Sequence, residues 1–221
     1  MKNLKALLFD LDGTLIDSEF FHFECWNEIV EESGSKLTYD DWLKNYAGVP
    51  LPTNAKNLVE KYNIQTPLNE VIERRENLTL ERLKTNDVNL MPFVGETLDF
   101  FINKGLTLAL VTSSPRKDVE AIFERNGLGN YFKLIITRSE VTKSKPDPES
   151  YNICIEKLGI GKEQCIVFED TANGVKSAKA AGLTCFAIQS NTQEHPNLTI
   201  ADKLFLDFNE AKNYLVKNNF L

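Results

Sequence analysis

The sequence predicts an α/β fold: a Rossmann-like parallel sheet with helices on both faces, and a helical bundle inserted near its start. Three observations predict it. Short aliphatic runs recur along the chain, segments with helical spacing separate them, and one long stretch after the first run has helical periods only. Strands that alternate with helices are typical of a parallel sheet covered on both faces.

The runs that indicate buried strands are short and aliphatic. Between them, apolar residues such as Val119, Ile122 and Phe123 recur at the intervals of a helix. The predicted strands are Ala6 to Phe9, Leu106 to Val111, Leu134 to Thr137, Cys165 to Phe168 and Leu183 to Ile188.

The stretch from about Asp17 to Asn89 contains no convincing strand. Its apolar residues recur in helical periods, and it is long enough for a bundle of four helices. Pro92 and Gly95 then mark the return of the chain to the sheet. The predicted organisation is an α/β core of residues 1–16 and 90–221, with a helical cap of residues 17–89 inserted in it.

The composition argues against several classes of protein. With 25 Lys and Arg against 32 Asp and Glu, the net charge of −7 argues against a surface for nucleic acid or an anionic membrane. No apolar run approaches the roughly 20 residues that span a bilayer, and the chain opens without a signal-type segment. The 4 cysteines form no C-x-x-C pair. We expect a cytoplasmic monomer with free thiols and with no nucleic-acid or membrane partner.

The first predicted strand ends in two carboxylates and a glycine, in the stretch FDLDGT. Alternate residues of an extended segment point the same way, so Asp10 and Asp12 should place two like charges on one side of the strand tip. Acidic residues and Asp-Gly pairs also occur at ordinary turns. Because neighbouring carboxylates repel each other unless a cation neutralises them, the pair predicts a nearby cation.

Hydroxyl groups follow the predicted strand that ends at Val111. Thr112, Ser113 and Ser114 precede a predicted helix, and the N-terminus of a helix suits a phosphate group. A plain Ser or Thr helix cap is an equally common reason for such residues. The carboxyl ends of parallel strands share one edge, where ligands usually bind, so these hydroxyls should lie near Asp10.

A lysine follows the next predicted strand, in the stretch KSKPDP. Lys145 precedes Pro146, which favours an extended backbone, so its ammonium group can be aimed at a bound anion. Exposed lysines are frequent, and Lys143 is a second candidate. The polar residues at the neighbouring strand ends are the reason to predict that Lys145 binds an anion.

A second pair of carboxylates, Glu169 and Asp170, ends the strand of the stretch CIVFED. Two pairs of oxygen ligands together with a phosphate are typical of a Mg²⁺ site. Zinc and iron sites favour histidine or cysteine, and neither His22 nor His195 lies near this edge in the sequence. The cation that Asp10 and Asp12 predict is therefore expected to be Mg²⁺.

Four stretches in this order, DLDGT, the strand that ends in Thr112, SKPDP and EDTANG, resemble the four motifs of the haloacid dehalogenase superfamily. The resemblance is to the branch of β-phosphoglucomutase-like proteins and small-metabolite phosphatases, and it covers the whole chain, including the helical cap. It implies Asp10 as a nucleophile that forms an aspartyl-phosphate, and Asp12 as the general acid and base. Phosphoryl oxygens would be held by Thr112, the Ser113 amide and Lys145, and Mg²⁺ by Asp10, the Asp12 carbonyl, Asp170 and Glu169.

The resemblance implies a haloacid dehalogenase-like phosphomonoester hydrolase that acts on a small phosphorylated metabolite, a sugar or polyol phosphate. Family members that displace halide lack the second aspartate, so Asp12 favours phosphoryl transfer. We expect His22 and Gly48 of the cap to contact the substrate, although a structural role for His22 is an open alternative.

Two other functions stay open. A β-phosphoglucomutase-type mutase has cap cations at places that match Ala47 and Leu51 of NYAGVPLPT; both cations are missing, although Lys44 or Lys56 can compensate. A phosphorylatable signalling receiver, the non-enzyme alternative, predicts neither a cap nor Asp12.

Overall fold

The structure is a computed structural model that describes residues 4–85 and 88–221. Residues 1–3 of the predicted core and 86–87 of the predicted cap lie outside the described residues. The described residues form two compact units. The core unit extends to Asp17 and continues from Asn89 to Leu221, and the inserted unit is Ser18–Val88.

The core unit contains a sheet of six parallel strands. The strands are β1 (Ala6–Phe9), β2 (Thr107–Val111), β3 (Leu134–Ile136), β4 (Cys165–Glu169), β5 (Thr184–Ile188) and β6 (Lys203–Phe205). Their spatial order is β3-β2-β1-β4-β5-β6, so β1 lies between β2 and β4. All the predicted strands are confirmed to within one residue at each end, but β6 was not predicted. It has three residues, too few for a recognisable periodicity.

Helices connect the strands of the core unit and cover the sheet. In chain order, the inserted unit contributes α1 (Glu19–Glu32), α2 (Tyr39–Asn45), α3 (Leu51–Tyr62) and α4 (Leu68–Thr85), and the core unit contributes α5 (Val94–Asn103), α6 (Arg116–Asn126), α7 (Glu149–Leu158), α8 (Ala172–Ala180) and α9 (Phe208–Lys217).

Both faces of the sheet are buried under helices. On one face, Phe9 and Phe168 stack with ring centroids 5.2 Å apart, and Phe101 of α5 and Phe208 of α9 pack against these rings. Because side chains alternate along a strand, the neighbouring residues of β1 and β4 point to the opposite face of the sheet. There, a second apolar cluster combines the strands with α7 and α8 and includes Ala6, Leu8, Val167, Tyr151, Cys154, Val175 and Ala178. These contacts confirm the Rossmann-like α/β fold with helices on both faces.

In the part of the inserted unit that the structure describes, residues 18–85 and 88, the regular secondary structure is four helices joined by turns and irregular segments. Arg74 of α4 lies 3.0 Å from carboxylate oxygens of both Glu28 and Glu32 of α1. Arg82, further along α4, lies 2.7 Å from another oxygen of Glu28. These ion pairs hold α1 and α4 side by side. Across the described ranges of both units, no helix has the length and apolar character needed to cross a membrane.

Candidate active site

Charged side chains from separate segments of the core unit meet at the carboxyl edge of the sheet. Asp10 follows β1, Glu169 is the last residue of β4, Asp170 comes next, and Lys145 lies in the segment between β3 and α7. All four are buried, with exposed fractions of 7%, 0%, 7% and 8% in that order. Because charged groups are rarely buried without partners, this arrangement predicts a connected network.

Lys145 is the centre of that network. Its Nζ donates to Oδ1 of Asp10 at 2.6 Å, to Oε1 of Glu169 at 2.7 Å and to the Val111 carbonyl at 2.8 Å. An ammonium group has three protons, so these three acceptors use all of them. The other candidate, Lys143, has a side chain that is 72% exposed and lies 3.7 Å from Asp147. Of the two lysines, only Lys145 belongs to the buried cluster.

Burial and the neighbouring charges shift the protonation of the network. Burial raises the pKa of Asp10 to about 7, and Glu169 contributes to the rise, while the Lys145 ammonium opposes it. Burial also disfavours the charged form of Lys145, but Asp10 and Glu169 outweigh this effect, and the pKa of Lys145 lies above its usual value. Lys145 is therefore a permanent positive charge beside Asp10.

Three buried carboxylates in this cluster suit a hard divalent cation. Asp10, Glu169 and Asp170 each offer one oxygen, and these oxygens lie within 4.8 Å of one another. Oε2 of Glu169 is buried and has no hydrogen-bond partner among the described residues. Gly13 leaves room for the Asp170 carboxylate, because a Cβ at position 13 would lie 2.2 Å from Oδ2 of Asp170. A donor set made only of carboxylate oxygens fits Mg²⁺.

The segment after β1 turns sharply and brings Asp12 to the same edge. Gly13, with a φ of +73°, donates its N–H to the Ile16 carbonyl at 2.9 Å. This is a left-handed conformation that glycine adopts without strain. Oδ2 of Asp12 accepts a hydrogen bond of 2.5 Å from the Ser114 hydroxyl, and Thr14 Oγ1 donates to Oδ1 of Asp170 at 3.2 Å. The turn thus connects β1 to the segments that follow β2 and β4.

The hydroxyls that follow β2 do not cap the next helix. Pro115 is the N-cap residue of α6, and its side chain makes no capping hydrogen bond. Instead, Oγ1 of Thr112 accepts the Ser114 N–H at 3.0 Å, which makes a tight local turn. Thr112 is 2% exposed, whereas Ser113 is exposed. Of the two explanations for this stretch, the helix-cap role is wrong.

Two predicted residues, His22 and Gly48, belong to the inserted unit. Nδ1 of His22 lies 3.0 Å from Nη2 of Arg75, which is 4% exposed. Gly48 is exposed, with a φ of +67°, in the turn between α2 and α3. Asn54 fixes this turn, because its Nδ2 donates to the Tyr46 carbonyl at 2.9 Å and to the Val49 carbonyl at 3.2 Å.

Several residues near the cluster were not predicted from the sequence. Tyr151 occurs at the spacing of the apolar residues of a helix, which indicates a core position and gives no sign of a polar contact. Its hydroxyl donates to Oε1 of Glu169 at 2.5 Å. Gln189 follows β5, and its Nε2 lies 3.4 Å from the Asp170 carbonyl, while Nε2 of His195 lies 2.8 Å from the Gln189 carbonyl. A polar residue after β5 is the signal that was available, because all parallel strands end at this edge. The contacts of Thr14 and Ser114 were also missed.

Comparison with known proteins agrees with this arrangement. The model of the haloacid dehalogenase-like hydrolase family matches residues 7–188. A phosphorylated carbohydrates phosphatase of Thermotoga maritima is 34% identical over 184 residues, which cover 81% of this chain and 82% of that protein. The fructose-1-phosphate phosphatase of Escherichia coli is 28% identical over 180 residues, which cover 80% of this chain and 93% of that protein.

A solved structure is similar over nearly the whole chain. It is the crystal structure of a Thermotoga maritima protein provisionally assigned as a beta-phosphoglucomutase, with a TM-score of 0.77 and 30% identity, and the match covers 97% of this chain and 99% of that one. The fold, the order of the four motifs and the relatives therefore agree. This chain belongs to the haloacid dehalogenase-like hydrolases, in the branch of small-metabolite phosphatases, and is a phosphomonoester hydrolase.

Proposed function

We propose that this chain is a Mg²⁺-dependent phosphatase that hydrolyses a sugar or polyol phosphate through an aspartyl-phosphate on Asp10. The observation that carries the proposal is the 2.6 Å hydrogen bond from Lys145 to Asp10 in a buried cluster. A carboxylate beside a fixed positive charge is suited to attack phosphorus, because that charge offsets the repulsion of the phosphate. The names of two relatives, which refer to carbohydrate phosphates, support the substrate class.

The reaction has two steps. A carboxylate oxygen of Asp10 attacks phosphorus and the bond to the substrate oxygen breaks, while Asp12 gives its proton to that leaving oxygen. Water then attacks the phosphorus of the aspartyl-phosphate, Asp12 takes the proton from this water, and the bond to Asp10 breaks to release inorganic phosphate. Both side chains return to their starting state. Division into two displacements is the advantage of a covalent nucleophile.

The cation and the phosphate need separate groups of the site. Asp10, Glu169, Asp170 and the Asp12 carbonyl would hold Mg²⁺, which supplies positive charge against the repulsion between carboxylate and phosphate. Thr112, the Ser113 amide and Lys145 would hold the phosphoryl oxygens. All three protons of Lys145 already have protein acceptors. Lys145 must therefore exchange one of these acceptors for a phosphoryl oxygen when substrate binds.

Residues 1–16 and 90–221 act in this proposal as the catalytic core, and residues 17–89 act as the cap that selects the substrate. The contact between Arg75 and His22 supports a donor role for His22. Arginine can only donate, so Nδ1 of His22 accepts and the ring proton lies on Nε2. This N–H is suited to a sugar hydroxyl or phosphate oxygen. Gly48 offers backbone groups in an exposed turn.

A mutase is the second candidate, because one similar structure is provisionally assigned as a beta-phosphoglucomutase. A mutase must hold a second, non-reacting phosphate and exclude water while the phosphoryl group returns to the sugar. Ala47 and Leu51 stand where the resemblance places the cap cations. Lys44 and Lys56 are both exposed. Hydrolysis is therefore the favoured outcome.

The test measures products with and without metal. With Mg²⁺, β-glucose 1-phosphate and a trace of the 1,6-bisphosphate, we expect phosphate to appear faster than glucose 6-phosphate; the reverse order would favour the mutase. A panel of sugar and polyol phosphates then identifies the substrate. Activity should vanish in EDTA and in Asp10→Asn, which removes the nucleophile but keeps its shape. Asp40→Asn, at an exposed carboxylate of α2, is the matched control and should retain activity.

A cytoplasmic location, a monomeric state and the lack of nucleic-acid and membrane partners stay predictions. The state of the cysteines supports the first, because Cys25, Cys154, Cys165 and Cys185 are all free and buried. Free thiols persist in a reducing compartment.

A further inference from the structure

Tyr151 contacts the candidate active site but has no part in the reaction steps above. It lies on α7, is 0% exposed and packs within the apolar cluster on one face of the sheet. Its hydroxyl donates to Oε1 of Glu169 at 2.5 Å, and Nζ of Lys145 lies 5.3 Å from its ring centroid. Phenylalanine would supply the same apolar ring, so the hydroxyl is the part of Tyr151 that needs a separate explanation.

The two oxygens of Glu169 have different surroundings. Oε1 accepts from both Tyr151 and Lys145, at 2.5 and 2.7 Å. Oε2 is buried and has no hydrogen-bond partner among the residues that the structure describes. A buried carboxylate oxygen without a donor is costly, so a ligand for Oε2 is expected at this place.

The backbone of α8 restricts the carboxylate from a further side. A Cβ at Gly174 would lie 1.9 Å from Oε2 and 2.4 Å from Oε1 of Glu169, so only glycine leaves room for the carboxylate here. The two donors on Oε1 and the nearby helix backbone restrict the orientation of the Glu169 carboxylate. Removal of a donor would allow the carboxylate to rotate.

We propose that Tyr151 is a positioning residue of the Mg²⁺ site. Its hydroxyl and the Lys145 ammonium both hydrogen-bond to Oε1 of Glu169. Oε2 is then available to coordinate the cation directly or through a bound water. Residues that hydrogen-bond to metal ligands orient those ligands and contribute to metal affinity. The inference rests on the proposed function, because it requires that Glu169 serves a cation.

The first experiment measures Mg²⁺ binding by calorimetry in the absence of substrate. Tyr151→Phe removes only the hydroxyl, and we expect Mg²⁺ to bind about 10-fold more weakly or worse. Tyr131→Phe is the matched control, because it removes another tyrosine hydroxyl of the core unit, which donates to Asp99 at 2.7 Å. This control should bind Mg²⁺ like the wild type. Near-ultraviolet circular dichroism in EDTA checks that both variants keep the native fold.

A double variant tests whether Tyr151 acts through Glu169. In a Glu169→Gln background, we expect Tyr151→Phe to change Mg²⁺ affinity by less than about twofold, because the carboxylate that the hydroxyl positions is gone. The proposal is overturned if the single variant binds Mg²⁺ within about twofold of the wild type, or if its full effect persists in the Glu169→Gln background. A wild-type protein that neither binds Mg²⁺ nor hydrolyses a phosphomonoester would instead contradict the proposed function.

Discussion

The hydroxyl of Ser114 donates to Oδ2 of Asp12 at 2.5 Å, between residues that are 102 positions apart in the chain. This hydrogen bond joins the segment after β2 to the segment after β1. It gives the Asp12 carboxylate a defined orientation before substrate binds. Ser114 is itself held by the bond from its N–H to Oγ1 of Thr112 at 3.0 Å, so the orientation depends on the turn after β2.

Ser114→Ala should lower kcat by about tenfold, on the scale of the loss of one side-chain hydrogen bond. The reason is that Asp12 loses the donor that orients it for proton transfer. The measurement is steady-state hydrolysis of the best sugar phosphate. In an Asp12→Ala background, the same substitution should have no further effect, and a full additional loss there would contradict a role through Asp12.

Asp12→Ala should slow hydrolysis of a sugar phosphate by about 10²–10⁴-fold, the usual effect of a positioned proton donor. The loss should be smaller with p-nitrophenyl phosphate, because that leaving group needs little protonation. The check is a comparison of kcat/KM for both substrates in the variant and the wild type. Equal losses would mean that Asp12 does not protonate the leaving group.

Gly13→Ala should impair Mg²⁺ binding. The new Cβ would lie 2.2 Å from Oδ2 of Asp170, so the carboxylate must move. We expect Mg²⁺ affinity to fall by about 10-fold or more, as measured by calorimetry. Positive φ alone should cost about 1 kcal/mol of the free energy of unfolding, as measured in urea.

Gly127→Ala is the matched control for Gly13→Ala. Gly127 has a φ of +66°, and a Cβ there would meet nothing within 4 Å. It should lose a similar amount of stability but keep its Mg²⁺ affinity. If both variants bound Mg²⁺ equally, the close approach between Gly13 and Asp170 would not matter for the site.

The cysteines should react slowly in the folded protein at pH 8. Burial raises the pKa of Cys154 to about 12 and that of Cys165 to about 11. The thiolate is the reactive form, so labelling by Ellman's reagent should accelerate as the pH rises towards these values. Protein unfolded in urea should react at once, since its thiols regain ordinary pKa values and access. Rapid labelling of the folded chain at pH 8 would contradict this prediction.

The fold class follows from the sequence pattern, and so does the edge of the sheet at which the polar residues meet. Aliphatic runs separated by helical segments permit a parallel sheet, and in such a sheet the ends of β1, β2 and β4 must lie along one edge. Strand direction and the identity of the residues that follow each strand are enough to predict that Asp10, Glu169 and Asp170 lie together. The sequence pattern does not predict β6, because its three residues are too few to show a periodicity.

The hydrogen-bond partners of the side chains at this edge depend on the packing of the folded chain. Lys143 and Lys145 are two residues apart; the following proline favours Lys145 in the sequence, and the structure shows that Lys145 is buried against Asp10 and Glu169. Tyr151 has the spacing of a core residue, and only the packing of α7 on the sheet brings its hydroxyl to Glu169. A hydrogen bond requires atoms at a specific distance and angle, and for residues far apart in the chain these are set by how helices pack on the sheet, which no local pattern encodes.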